Sequence, residues 1–338
     1  MAKAPKPLTD YLVYLAVRTL VAVIQAVPHD WAYSFARTLG FIVHLVDKRH
    51  RKVAAENLTF AFPELYGNAQ SDPDQRKALE AHIRGVYNHF CLLLVEMILL
   101  PRIIRPENWR KHLTIDRPDT LIPLLVGEKP VLLITSHHGN WEMGGYLMGL
   151  VGIPSFAIAR VLDNPYLENF LLGFRERTGQ KILAKKGEFE MIEEVLAQGG
   201  KLATLADQDA GPKGVFVDFF GRPASTHKAV AFLALEYKVP MLVIGTPRIG
   251  GPLEYRIEVE DIIHPEEYAD RPDACKAVTE RFTRALERII RRHPEQYLWL
   301  HRRWKHAPPT RKKAGRDKEK NESLTSPKAD AEPANGVG

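Results

Sequence analysis

The fold is decided by the stretch Val131-Leu132-Leu133-Ile134-Thr135-Ser136-His137-His138-Gly139-Asn140-Trp141-Glu142. Its first residues form an unbroken apolar run, which is typical of a strand buried on both faces of a sheet. Gly139 and Asn140 are turn and capping residues, so we expect the chain to turn there and to begin a helix. The two histidines therefore lie at the carboxyl end of a central strand, where open α/β sheets bind their ligands.

Beyond this stretch, predicted strands and helices alternate, which favours an α/β fold with a sheet flanked by helices. Short apolar or alternating runs predict the strands, and longer amphipathic or apolar segments between them predict the helices. The predicted strands cover residues 153–159, 181–183, 201–206, 215–221, 241–246 and 254–259. The predicted helices cover residues 164–177, 188–197, 228–237 and 273–293.

The composition is that of a folded protein with an anionic partner. Of 338 residues, 45% are hydrophobic, and the formal net charge is +6. Such a charge fits nucleic acid, an anionic membrane surface or an acidic or phosphorylated substrate. The excess lies largely in clusters at 48–52 and 302–320 without a nucleic-acid-binding signature, so we expect no nucleic-acid partner. The two cysteines, Cys91 and Cys275, argue against a disulfide framework and fit a reducing compartment.

Residues 1–50 are predicted to be a membrane-associated helical region. Residues 11–27 are mostly apolar, but a bilayer core requires about 20 apolar residues. Arg18 near the middle of this segment leaves open whether it crosses the membrane or lies in its plane. An amphipathic segment, 31–46, follows and ends in the basic cluster 47–52, which is typical of sequences that contact anionic headgroups on the cytoplasmic side. The alternative is that both segments are core helices with a solvated basic end.

The rest of the chain divides into a folded domain, residues 51–306, and a tail, residues 307–338. The tail is rich in Pro, Lys, Glu, Ser and Asn and nearly free of large apolar residues. Because such a composition cannot bury enough apolar surface to fold, the tail is predicted to be disordered.

His137 and Glu142 are the first candidates for acid–base chemistry. On one continuous helix they would point about 140° apart and could not meet. With His137 at the strand end and Glu142 in the first helical turn, the carboxylate can accept a hydrogen bond from one ring nitrogen and leave the other free as a base. His138 and Glu142 are also compatible, at positions i and i+4, so spacing alone leaves the identity of the base open.

The neighbourhood of these histidines favours a reaction without a protein nucleophile. No Ser or Cys elbow lies beside them, so the nucleophile is expected to be a hydroxyl of the substrate. The H-E-x-x-H and H-x-x-E-H spacings of zinc enzymes are absent from the sequence, and we expect no metal site.

The spacing His137-x-x-x-x-Glu142 resembles the H-x-x-x-x-D/E motif of the glycerolipid acyltransferase superfamily. Its context is similar to the lipid A biosynthesis branch, whose late acyltransferases esterify hydroxyacyl chains using acyl carrier protein thioesters. Further landmarks of that branch follow in order between about Tyr11 and Lys305: Arg51 with Asn57-Leu58 and Phe62-Pro63-Glu64; Arg160 followed by Asp163-Asn164-Pro165; Asp207-Gln208-Asp209; Val215-Phe216-Val217 with Phe219-Phe220-Gly221; and Trp299-Leu300-His301-Arg302-Arg303-Trp304-Lys305.

The resemblance implies a glycerol-3-phosphate acyltransferase-like fold, in which a mixed central sheet is flanked by helices, and a catalytic role for residues 51–306. It implies that His137 is the general base, that Glu142 orients it, and that Arg160 stabilises the oxyanion. A surface ion pair is the alternative for Arg160. The resemblance, together with the positions of the residues, implies substrate binding or shaping of the cleft by His138, Asn140, Asp207, Gln208, Asp209, Gly221, Thr226, Arg302 and Arg303. The alternatives are a plain turn after a strand for Asp207, Gln208 and Asp209, a turn glycine for Gly221, and a solvated basic end beside the membrane for Arg302 and Arg303.

The same resemblance implies the partners and the location. The expected donor is an acyl carrier protein or CoA thioester, with no other cofactor, and the acceptor is a lipid at the inner membrane, with the catalytic domain on the cytoplasmic face. Residues 138–141 are bulkier and more polar than in the usual lipid A enzymes, which leaves a lipid A precursor, another glycolipid or a lyso-phospholipid as acceptor. A non-catalytic membrane-binding protein is the alternative of a different class, but it does not explain an imidazole and a carboxylate at a strand end.

Overall fold

The computed structural model describes residues 7–159, 161–176, 180–184 and 189–308. Arg160 and nearly all of the tail that the sequence predicts to be disordered lie outside these residues. The role predicted for Arg160 and the disorder predicted for the tail therefore stay predictions.

A mixed sheet forms the centre of the molecule. The strands in the described residues are β1 (Leu113–Ile115), β2 (Val131–Thr135), β3 (Ser155–Ala159), β4 (Gln180–Ala184), β5 (Lys201–Leu205), β6 (Val215–Phe219), β7 (Arg222–Thr226), β8 (Met241–Gly245) and β9 (Tyr255–Ile263). Seven of them form one sheet in the order β1-β9-β8-β2-β5-β3-β4, and β6 and β7 form a separate antiparallel hairpin. Within the sheet only β8 and β9 pair antiparallel. The predicted α/β fold with a mixed central sheet is confirmed.

Helices cover both faces of this sheet. Those in the described residues are α1 (Pro7–Ala26), α2 (His29–Val46), α3 (Lys48–Ala61), α4 (Pro63–Tyr66), α5 (Pro73–Ile103), α6 (Pro118–Val126), α7 (Trp141–Leu150), α8 (Pro165–Glu176), α9 (Phe189–Ala197), α10 (Ala229–Glu236) and α11 (Ala274–Arg292). The predicted domain boundary at residue 50 falls inside α3, and the division into domains stays a prediction.

The central strand β2 is buried on both faces, as its unbroken apolar run predicts. Leu132 and Ile134 pack into a cluster with residues of α10 and α11, on one face of the sheet. Val131 and Leu133 pack into a second cluster with residues of α6 and α7, on the other face. Because β5 and β8 pair with β2 on its two sides, the carboxyl end of β2 lies between the ends of these two strands, near the middle of the sheet.

The amino-terminal helix α1 is the candidate for membrane association. Both α1 and α5 are long and apolar enough to cross a membrane, but 56% of the apolar window of α5 is buried in the protein against 6% for α1. We therefore assign α5 to the core, where α2 packs along it. Large apolar side chains of α1, including Leu8, Leu12 and Val23, are exposed.

Helix α1 makes several side-chain contacts with α8, one of the helices that flank the sheet. The Asn164 side chain, at the start of α8, donates a hydrogen bond to the Asp10 carbonyl (2.9 Å). The rings of Tyr11 and Tyr166 meet edge to face with centroids 5.3 Å apart. The Arg18 guanidinium lies 5.1 Å from the centre of the Phe170 ring.

Candidate active site

The loop between β2 and α7 carries both histidines, and its conformation requires glycine. Gly139 has φ +60°, and a Cβ placed on it would lie 2.0 Å from the Thr246 carbonyl oxygen. The Asn140 side chain caps α7 by accepting a hydrogen bond from the Met143 amide (3.0 Å). The predicted order of strand, tight loop and helix is therefore confirmed.

Long-range hydrogen bonds hold the backbone of this loop. The His137 carbonyl accepts from the Leu298 amide (3.0 Å), and the Gly139 amide donates to the Gln296 carbonyl (3.1 Å). The Asn140 amide donates to the Thr246 carbonyl (2.8 Å). Because these partners come from two distant parts of the chain, the loop has a defined position relative to the strand ends.

His137 is paired with Asp207. Its Nδ1 lies 2.9 Å from Asp207 Oδ1, and its backbone amide donates to Oδ2 at 3.1 Å. The imidazole is 17% exposed, whereas the carboxylate is 2% exposed. Burial alone would lower the pKa of His137, but the charge and hydrogen bond of Asp207, with a further effect from Glu142, raise it above its ordinary value. The same contacts hold the pKa of Asp207 below its ordinary value despite burial.

Glu142, the orienter expected from the sequence, has a different partner. Its carboxylate accepts from Arg175 at both oxygens, Nη2 to Oε1 at 2.5 Å and Nε to Oε2 at 3.1 Å. The hydrogen bond expected between Glu142 and a histidine is replaced by the His137–Asp207 contact. The reason is strand register: Thr135 of β2 is paired with Leu205 of β5, so residues two positions further on lie side by side.

His138 lies inside the protein rather than in the cleft. It is fully buried, and its Nε2 donates to the His293 carbonyl at 3.0 Å. Burial lowers the pKa of His138 to about 4, so the ring is neutral at physiological pH. Of the two imidazoles left open by the sequence, His137 is the one with access to solvent.

Asp209 belongs to a second cluster beside the pair. Its Oδ2 lies 2.7 Å from His306 Nδ1, and its backbone amide donates to His301 Nε2 at 3.1 Å. Gln208 is half-buried between the two aspartates. The three residues predicted as a strand-end group therefore have different partners. Asp207 contacts His137, the candidate catalytic histidine, and Asp209 contacts the carboxyl-terminal segment.

Arg303 is buried, whereas Arg302 is exposed. The Arg303 guanidinium donates to the Ser225 carbonyl (2.5 Å) and to Thr226 Oγ1 (2.6 Å). Arg303 and Thr226, both expected to bind substrate, thus bind each other and fasten the β6–β7 hairpin.

Gly221 is a turn residue at the tip of this hairpin. It is exposed with φ +79°, and its amide donates to the Asp218 side chain. Gly221 therefore forms the turn of this hairpin, and its predicted part in shaping the cleft stays a prediction.

An apolar cavity lies between the sheet and α7, next to the candidate base. It encloses about 880 Å³ of empty space, part of it open to solvent. Trp141 lines it, and the rings of Trp141 and His137 have centroids 5.0 Å apart. Its lining also includes the Glu142–Arg175 ion pair and apolar residues of the sheet and of α6, among them Leu121, Leu125, Leu133, Ala157, Ala203 and Ile244.

Arg175 and Trp141 are site residues that sequence reasoning missed. Arg175 lies 33 residues after Glu142 in an amphipathic helix, without a motif to distinguish it from a surface arginine. In the site as a whole, a buried carboxylate orients an imidazole through Nδ1, and the imidazole lies beside an apolar cavity that suits a hydrocarbon chain. Such a site can remove a proton from a hydroxyl while an apolar substrate is held next to it.

Comparison with known proteins agrees with this chemistry. A family model described as bacterial lipid A biosynthesis acyltransferase matches residues 3–306. The chain is 25% identical over 300 residues to the lipid A biosynthesis lauroyltransferase of Escherichia coli, which covers 88% of this chain and 92% of that protein. It is 27% identical over 264 residues to the lipid A biosynthesis palmitoleoyltransferase of the same organism, 77% of this chain and 80% of that protein.

A shorter match extends the comparison to another glycolipid enzyme. Over 122 residues the chain is 30% identical to the phosphatidylinositol mannoside acyltransferase of Mycolicibacterium smegmatis, 35% of this chain and 40% of that protein. The resemblance based on the sequence landmarks is confirmed by the match over residues 3–306. The chain belongs to the bacterial lipid A biosynthesis acyltransferase family and is an acyltransferase that acts on a lipid.

Proposed function

We propose that this enzyme transfers a fatty acyl chain from an acyl carrier protein or CoA thioester to a hydroxyl of a lipid A precursor, with His137 as general base. The observation that carries the proposal is the His137–Asp207 pair, 2.9 Å between Nδ1 and Oδ1, beside an apolar cavity. No other cofactor takes part in this scheme.

The proposed reaction is a direct transfer. Nε2 of His137 takes the proton of the acceptor hydroxyl, and the oxygen attacks the thioester carbonyl carbon. As the C–S bond breaks, the thiolate leaves and receives the proton from the imidazolium. Asp207 stabilises the imidazolium in between, and general base catalysis of this kind contributes about 10²- to 10⁴-fold to the rate.

The oxyanion formed during the attack requires a positive or hydrogen-bonding group. Arg160 keeps this role as a prediction from the family resemblance. Glu142, which the family motif makes part of the catalytic pair, is proposed to hold Arg175 at the wall of the cavity, because its two carboxylate oxygens accept from that guanidinium.

The acceptor has a second candidate. The partial match to a phosphatidylinositol mannoside acyltransferase favours another glycolipid, with a mannosylated headgroup in place of the headgroup of a lipid A precursor. Both acceptors present a hydroxyl to the same base, so the two candidates differ in headgroup recognition and share the chemistry.

The proposed setting is the cytoplasmic face of the inner membrane. The exposed apolar side chains of α1 favour contact with lipid, and the basic residues Lys48, Arg49 and Lys52 favour an anionic surface. The exposed Arg302 is proposed to contact acidic groups of the carrier protein or of the acceptor.

The test is a transfer assay with purified enzyme in lipid vesicles. Acyl carrier protein and CoA thioesters are each offered with a lipid A precursor, a mannosylated glycolipid and a lyso-phospholipid, and mass spectrometry detects the acceptor that gains one acyl chain. His137→Ala is expected to lose at least about a hundredfold in rate. The exposed His264, changed to Ala, is the control and keeps full activity. Transfer by His137→Ala at the wild-type rate would refute the proposed base.

A further inference from the structure

A second apolar cavity adjoins the first. It contains about 870 Å³ of empty space, part of it open to solvent, between α6, α7 and β1, and Leu147, Val151 and Ile153 are among the residues that line it alone. Five residues line both cavities and form the wall between them: Leu121, Leu125, Gly144, Met148 and Ile257. The wall is therefore made of apolar side chains and one residue without a side chain.

Gly144 is not required by the packing of its own helix. A Cβ placed on it would meet only Thr246 Oγ1, at 3.9 Å, which is an ordinary contact. The next residue differs, because a Cβ on Gly145 would lie 2.0 Å from Gln180 Nε2. Glycine inside a helix is destabilising relative to alanine. With glycine at position 144, no side chain of this residue occupies the wall between the two cavities, although alanine would favour the helix.

We propose that Gly144 is the specificity-determining residue for acyl chain length, because it lets a long chain pass from the first cavity into the second. The proposal rests on the proposed acyl transfer and adds the substrate class: long-chain thioesters whose distal methylene groups lie beyond Gly144. A chain that ends before Gly144 fills the first cavity only.

The size of the effect follows from the burial of methylene groups. Each buried methylene stabilises the bound chain enough to change an equilibrium constant about fourfold. In the wild-type enzyme kcat/KM is therefore expected to rise about fourfold per added methylene until the chain fills both cavities, and then to level off.

The experiment measures kcat/KM for a series of saturated acyl thioesters of increasing length. Gly144→Leu places an isobutyl group at the wall, and it is expected to fold because leucine is a better helix former than glycine and its Cβ has room. In this variant the rise is expected to stop at a shorter chain, so the ratio of kcat/KM for long over short thioesters falls at least about tenfold. Gly173→Leu is the matched control: Gly173 also lies in a helix, α8, its Cβ would meet nothing within 4 Å, and it lines neither cavity.

A second variant fills the far cavity without touching the wall. Ile153→Phe is expected to disfavour only the longest thioesters and to leave the slope for shorter ones in place. The proposal is overturned if Gly144→Leu levels off at the wild-type chain length, or if its main effect is a higher KM for the lipid acceptor, which would assign the second cavity to an acceptor tail. Failure of the proposed function is a different result, because the wild-type enzyme would then transfer no thioester of any length.

Discussion

Asp207 does more for His137 than orient one ring nitrogen. Burial lowers the pKa of the imidazole, and the carboxylate reverses this and raises the pKa above its ordinary value. A base acts in its neutral form, so acyl transfer is expected to rise with pH as the solution passes through this raised pKa.

Asp207→Asn is therefore predicted to move the acidic limb of the pH profile of kcat/KM to lower pH. Without the carboxylate, burial lowers the pKa of His137 with less opposition, and the neutral base persists in more acidic solution. The rate constant kcat is predicted to fall roughly a hundredfold or more, because the imidazolium loses its counter-charge. Steady-state kinetics over the accessible pH range measure both effects.

Glu142→Gln is the comparison for this prediction. It keeps the His137–Asp207 hydrogen bond, and Glu142 contributes less to the pKa of His137 than Asp207 does. The acidic limb is expected to move in the same direction but by less. A larger shift for Glu142→Gln than for Asp207→Asn would instead support the pairing of His137 with Glu142 that the sequence alone predicts.

At the residue scale, the sequence identifies the side chains better than their partners. His137, Glu142 and Asp207 all follow from their position at strand ends or in a helix cap. Their pairing depends on which strands are neighbours and in which register, and β2 and β5 are separated by 65 residues between their closest ends, so local pattern carries no information on it. Arg303 shows the converse, because a basic run predicts exposure and only the fold shows its burial.

At the scale of the elements, a buried charged network joins α5 to the loop between β2 and α7. Glu96 of α5 binds the Arg248 guanidinium and the Tyr255 hydroxyl. Arg248 also lies 3.1 Å from His89 Nδ1, and His89 Nε2 lies 3.3 Å from the Gly139 carbonyl. Helix α5, the strand β9 and the loop after β8 are thus fastened to the loop that carries His137.

Glu96→Gln is predicted to lower the free energy of unfolding by about 3 kcal/mol, because it leaves the Arg248 charge buried without its carboxylate. Chemical denaturation of the purified enzyme measures the change. The control is Glu280→Gln, which removes an exposed i,i+4 pair with Arg284 and is expected to cost no more than about 0.5 kcal/mol. Equal losses in the two variants would contradict a special role for the buried network.

The sequence missed the strand β7. The strand β6 alternates and was expected, but its hairpin partner β7, Arg222–Thr226, contains a proline and small polar residues in place of an alternating apolar run. This strand pairs with β6, and Arg303, far along the chain, binds its last residue. Elements held by long-range hydrogen bonds leave little periodicity for a sequence to display.

At the scale of the whole molecule, the exposed apolar helix α1 is linked to the cavity through α8, and it also packs against α5. α1 meets α8 through the Tyr11–Tyr166 and Arg18–Phe170 contacts, and α8 carries Arg175 to the cavity. The alternation of strands and helices predicted the sheet correctly, because that pattern depends on local periodicity. The contact between α1 and α8 was not predictable, because aromatic side chains on an apolar helix suit contact with lipid as well as contact with another helix.

Removing the charges of Lys48, Arg49 and Lys52 together, by substitution with glutamine, is predicted to weaken binding to anionic vesicles about a hundredfold. Each exposed basic residue near an anionic surface contributes about 1 kcal/mol, and all three are exposed. Vesicle sedimentation at low salt measures the change. On zwitterionic vesicles the variant and the wild type are expected to bind alike, and an equal loss on both kinds of vesicle would argue against an electrostatic role.

The exposed apolar side chains of α1 also affect how the size of this enzyme can be measured. Without lipid, the exposed apolar side chains of α1 are expected to associate with those of other molecules. In plain buffer, a gel-filtration column or a light-scattering cell will therefore register clusters assembled through α1. We expect nanodiscs or detergent, which would cover the apolar side chains of α1, to give the number of subunits in the enzyme.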